Sequence, residues 1–132
     1  MTVVVGYVPN DLGETTLDAA IVEARRRGTD LVAVNTTRAD RLVDPRYAQD
    51  AQVEVLESRL EASGVPYAVR RFTSSALAAD DVLSVADEVD AELIVIGLRH
   101  RTPVGKLIMG STAQSILLDA SCQVLAVKLP RR

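Results

Sequence analysis

Apolar runs of strand length alternate with helix-periodic stretches along this chain, and that alternation restricts its fold more than any other feature. Thr2–Tyr7 (TVVVGY) is β-branched with almost no polar alternation, the pattern of a strand buried on both faces of a parallel sheet. Leu31–Asn35 (LVAVN), Tyr67–Phe72, Glu92–Gly97 (ELIVIG) and Cys122–Leu129 (CQVLAVKL) read as four further strands. Helices are expected over Glu14–Arg27, Arg46–Ser63, Ser111–Ala120, and from a cap at Ser74 or Ser75 to about Val89. Their inward faces are Leu17, Ala20, Ile21 and Ala24; then Val53, Leu56 and Leu60; then Ala79, Val82, Leu83 and Ala86. Val8–Gly13 holds Pro9, Asn10, Asp11 and Gly13, which reads as a turn. Arg70 and Arg71 interrupt the third strand and mark it as a sheet edge.

Strict alternation implies an α/β fold: one open, doubly wound sheet of five parallel strands, helices on both faces. At 132 residues, one domain spanning 1–132 is expected. With strand order 3-2-1-4-5, the order reverses between the first and fourth strands, where such folds hold their ligands. The loops meeting there are Val8–Gly13 and Leu98–Gly110.

Composition excludes several function classes. The formal charge of −3 and four scattered aromatics (Tyr7, Tyr47, Tyr67, Phe72) argue against nucleic acid as a partner. The Arg25–Arg27 run sits before Gly28 at a helix end, where positive charge complements the dipole, and reads as a solvated face. Apolar runs of about six residues are too short to span a membrane. The sequence begins directly in a strand pattern, so a cytoplasmic location is expected. One cysteine, Cys122, excludes an internal disulfide and a cysteine-based zinc site, and no metal site is assigned. Cys122 itself reads as a buried small apolar side chain.

The segment Gly97–Gln114 (GLRHRTPVGKLIMGSTAQ) carries the chemistry. No acid lies between Glu92 and Asp119, yet Arg99, Arg101, Lys106 and the single histidine, His100, fall there. Glycines follow the fourth strand, and a helix begins near Gly110-Ser111, which is the sequence form of an anion site at a helix N-terminus. Ser111 with Gln114 fits an S-x-x-Q capping box. The G-x4-G-K-[ST], G-x-G-x-x-G and G-x-S-x-G motifs are absent. His100 has no obvious carboxylate partner and reads as a phosphate donor or an exposed side chain, so no catalytic residue is assigned.

The arrangement resembles the universal stress protein family, whose nucleotide-binding members carry G-x2-G-x9-G-[ST] after the fourth strand. The matching residues are Gly97, His100 in the second glycine slot, then Gly110 and Ser111. Val104–Lys128 is similar to the family's C-terminal third, and VVVGY to its first strand. The resemblance implies ATP or a related adenine nucleotide as ligand, with Mg²⁺ as an optional companion. Gly97 would let backbone approach the ribose and phosphates; Gly110, Ser111 and Thr112 would bind phosphate. Val34 would meet the adenine through its backbone, and Pro9 would line the base pocket. Arg99 and Arg101 add positive charge. Val8 stands where such members usually have an aspartate.

The resemblance also implies a stress-response regulatory protein, homodimeric through its C-terminal strand, with a protein partner still to be identified. Hydrolysis would be weak, because the basic loop offers no carboxylate to activate water. Two other readings stay open: a slow nucleotide hydrolase using Asp11 or Asp44, and a nucleotide-free dimeric module of the same fold.

Overall fold

The computed structural model describes residues 1–38, 50–74, 78–98 and 110–129. Nine elements follow in the expected alternation: β1 (Thr2–Gly6), α1 (Asp11–Arg27), β2 (Asp30–Arg38), α2 (Asp50–Ser63), β3 (Tyr67–Ser74), α3 (Ala78–Glu88), β4 (Ala91–Gly97), α4 (Ser111–Asp119) and β5 (Gln123–Val127). They form a sheet of order β3-β2-β1-β4-β5, every pairing parallel. The central strand β1 pairs Val3 with Leu31 of β2 and with Leu93 of β4.

The alternation of side chains along β1 divides the core in two. Val3, Val5 and Tyr7 join Leu17, Ala20, Ile21 and Ala24 of α1 and Leu56 and Leu60 of α2. Val4 joins Val32, Val34, Ile94 and Ile96 with Ala79, Val82, Val85 and Ala86 of α3 and Ala113 and Ile116 of α4. Helices therefore cover both faces. Leu17, Leu56, Leu60 and Ile116 are almost wholly enclosed, each contributing about 1.5–3 kcal/mol of burial. The inward face of α3 includes Val85 in addition to the expected residues, while Leu83 is only partly buried.

Several boundaries differ from expectation. Helix α1 starts at Asp11 rather than Glu14, because Asn10 caps it: Asn10 Oδ1 accepts a hydrogen bond from Gly13 N at 2.8 Å. Asx side chains serve turns and helix caps by the same bond. Strands β2 and β3 continue beyond the expected ends and pair through Arg38 and Ser74. The capping box at Ser111 does not form. Gly110 takes the cap position, makes no side-chain cap bond, and leaves Ser111 as the first helical residue.

The sheet's two edges are unlike. On β3, Arg70 reaches Glu88 of α3 at 2.5 Å and Arg71 reaches Asp50 of α2 at 2.9 Å. On β5, Leu125 is 37% exposed.

Candidate functional site

A cavity of about 270 Å³ opens where the strand order reverses, beyond the carboxyl ends of β1 and β4. Its floor is the end of β1 (Gly6, Tyr7, Val8) with Val34 and Ile96. One wall is the first turns of α1, through Asn10, Leu12, Gly13 and Thr16. Ala78 and Val82 of α3 face it, and the start of α4, Gly110–Ala113 with Ile116, closes the remaining side.

Helices α1 and α4 both begin at this cavity, and their N-termini differ. Helix α1 satisfies its own N-terminus with the Asn10 cap and carries Asp11 and Glu14 in its first turn. Helix α4 has Gly110 at the cap position, no side-chain cap bond among the described residues, and no acid in its first turn. Among the described residues no side chain serves the first N–H groups of α4, whereas at α1 Asn10 serves Gly13 N and two acids face the dipole. An anion entering the cavity meets its complement at Ser111–Ala113.

Close packing fixes the wall opposite. A Cβ on Gly13 would overlap the Val8 carbonyl, so glycine lets α1 lie directly on the backbone leaving β1. A Cβ on Gly97 would lie 2.7 Å from Thr16 Oγ1 and 2.8 Å from Leu12 Cγ. The absent side chain of Gly97 thus accommodates α1. The ends of β1 and β2 are stitched together above the last ladder pair. Tyr7 N donates to Val34 O at 2.9 Å, and buried Asn35 donates from Nδ2 to Tyr7 O at 2.8 Å. Tyr7 is 4% exposed, and its hydroxyl donates to Glu14 Oε1 at 2.5 Å. Burial pushes the Tyr7 phenol above its ordinary range, against a smaller opposing pull from Arg59.

Of the residues expected at the site, Val34, Gly97, Gly110, Ser111 and Thr112 come together around the cavity. Pro9 is not among its lining residues, and Asp11 is exposed at the start of α1. Arg99, His100, Arg101, Lys106 and Asp44 lie outside the described residues. The Val8–Gly13 stretch lies at the reversal as expected, though as a cap and first helical turn rather than a loop. The contribution of Thr16 of α1 and of Ala78 and Val82 of α3 was not expected.

The family model for universal stress proteins matches residues 1–128. The chain belongs to the universal stress protein family. A universal stress protein of Mycolicibacterium smegmatis is 44% identical over 126 residues, covering 96% of each chain. Among solved structures, a universal stress protein from Archaeoglobus fulgidus superposes with a TM-score of 0.76 at 33% identity, covering 97% of this chain and 98% of the other. A universal stress protein from the same organism in complex with dAMP gives 0.70 at 27% identity, with coverage of 97% and 98%. No helix among the described residues of this family member is long and apolar enough to cross a membrane.

Proposed function

We propose that this universal stress protein binds an adenine nucleotide in the cavity beyond β1 and β4 and acts as a homodimeric, nucleotide-responsive regulatory module of the cytoplasm. The observation that carries the reading is the start of α4: an uncapped, acid-free helix N-terminus on the wall of a cavity at the strand-order reversal. Phosphate would meet Ser111–Ala113, and the base would lie toward Val34, Val82 and Ile96. A similar universal stress protein in complex with dAMP supports an adenine nucleotide as the ligand class.

Mg²⁺ has no part in this reading. The cavity's described lining contains no carboxylate, and no cluster of metal-ligating side chains occurs among the described residues. The hydrolase reading rests on Asp11, exposed at the start of α1, or on Asp44, which lies outside the described residues. A nucleotide-free module remains the competing reading, favoured by Val8 in the slot of the family's aspartate.

Thermal unfolding with and without AMP, ATP and Mg²⁺ decides between them. A nucleotide at about 100 times its dissociation constant adds roughly 2.7 kcal/mol, a rise of several degrees for this size of chain. The proposal expects that rise and its loss in Gly110→Val. Absence of any shift up to millimolar nucleotide leaves the nucleotide-free module.

A further inference from the structure

Helix α2 is held to the body by little apolar surface. Of Asp50–Ser63 only Leu56 and Leu60 are buried, with Val53 partly so. Its other ties are polar. Arg25 of α1 donates to Ser63 O at 2.6 Å, Asp50 pairs with Arg71, and Arg59 pairs with both Glu14 and Asp18 of α1. Elements with few buried contacts are those that open locally at the lowest free energy.

Glu14 makes the Arg59 tie different from the rest. Its Oε2 faces Arg59, while its Oε1 accepts the hydrogen bond of the buried Tyr7 hydroxyl. Tyr7 lines the cavity, and Glu14 directly follows Gly13 in the turn of α1 that forms the cavity wall. One carboxylate therefore joins Tyr7, a residue of the cavity lining, to Arg59 of α2.

We infer that Glu14 couples occupancy of the cavity to the docking of α2, through Tyr7 on one side and Arg59 on the other. This rests on the reading that the cavity takes an adenine nucleotide. A ligand that fills the space against Tyr7 and the Asn10–Gly13 turn fixes the Glu14 carboxylate in the position that receives Arg59. In the empty cavity the Glu14 carboxylate is held by Tyr7 and Arg59 alone, and α2 opens more often. The effect is reciprocal: the factor by which nucleotide favours docked α2 is the factor by which docked α2 favours nucleotide.

The test is amide hydrogen exchange of the full chain, with and without saturating AMP, in wild type, Arg59→Gln and Asp18→Asn. AMP is expected to slow exchange in α2 at least about fivefold in wild type and in Asp18→Asn. In Arg59→Gln that protection is lost, while the first turn of α4 is still protected in all three. Should Arg59→Gln leave α2 unfolded, Glu14→Gln, which keeps an acceptor for Tyr7, takes its place with the same expectation. Protection of α4 by AMP with α2 unchanged in wild type overturns the coupling. So does equal α2 protection in the Arg59 or Glu14 variant. No protection at α4 and no thermal shift in wild type would instead overturn the nucleotide reading, and the coupling with it.

Discussion

Gly97 and Thr16 stand so close that a single added carbon on the glycine would sit 2.7 Å from the threonine Oγ1. Thr16 cannot readily swing away, because it is 1% exposed and its hydroxyl donates to Leu12 O at 2.6 Å. Gly97→Ala is therefore expected to destabilise the fold by about 2 kcal/mol through overpacking, lowering Tm by roughly 5 °C or more. Calorimetry without nucleotide checks this. A change confined to nucleotide affinity, at unchanged Tm, would assign the glycine to the ligand alone.

The Asn10 cap is predicted to be worth about 1 kcal/mol. Urea unfolding of Asn10→Ala should show a lower midpoint at an unchanged slope. An unchanged midpoint would mean that water serves Gly13 N as well as the Asn10 side chain does.

At the start of α4, stability and binding should move in opposite directions. Ser111→Asp places a negative charge on an uncapped, acid-free N-terminus. It should stabilise the nucleotide-free protein by about 0.5 kcal/mol and abolish AMP binding by repulsion. Titration calorimetry paired with thermal unfolding reads both signs. Retained AMP affinity would place the phosphate elsewhere.

The phenol of Tyr7 sets an alkaline limit. Its pKa is raised in the folded state, chiefly by burial, above the ordinary value near 10. Above that value the unfolded chain loses a proton that the folded chain retains. The contribution is complete below pH 10 and is lost as pH rises through the folded pKa. Tyr67 is raised in the same direction, by desolvation first and then by Glu61 and Glu57. Tyr7→Phe should therefore flatten the fall in stability above pH 10 without removing it. Denaturant unfolding between pH 8 and 11 measures the difference.

If β5 is the dimer edge, wild type should run in light scattering at twice 14.2 kDa. Leu125→Lys should then run as a monomer, since charge on an edge strand opposes pairing. A wild-type monomer, or a dimer insensitive to this change, removes β5 from the interface.

The order of elements and of strands was legible because it follows from rules of chain geometry. Alternating strands and helices with right-handed crossovers leave few arrangements. The faces of α1 and α2 were legible for a similar reason, since helical period alone places Leu17, Ala20, Ile21, Leu56 and Leu60 inward. The ends were harder. Asn10 makes the bond of a turn and the bond of a cap with the same oxygen, so the sequence pattern places the start of α1 three residues late. At α4 the S-x-x-Q pattern is present, yet the extended residue is Gly110, one place earlier, which has no side chain to cap with. Gly97, Gly110, Ser111 and Thr112 converge because they follow β4 at the reversal of strand order, and Val34 joins them from β2, beside β1. The Val8–Gly13 stretch was legible at the reversal, but the contact of Thr16 with Gly97 depends on how closely α1 approaches β4, a distance that no local pattern encodes.

The unequal edges of the sheet bear on assembly. At β3 both arginines are turned back toward the helical layers, Arg70 to Glu88 and Arg71 to Asp50, while β5 keeps an apolar rim at Leu125. A sheet with one sealed margin and one open margin has a valence of one. Two copies that join open margin to open margin consume both, and nothing is left for a third. If copies pair through β5, the arginines of β3 would act as a stop, and growth by edge pairing would end at a closed pair instead of running on into a fibre.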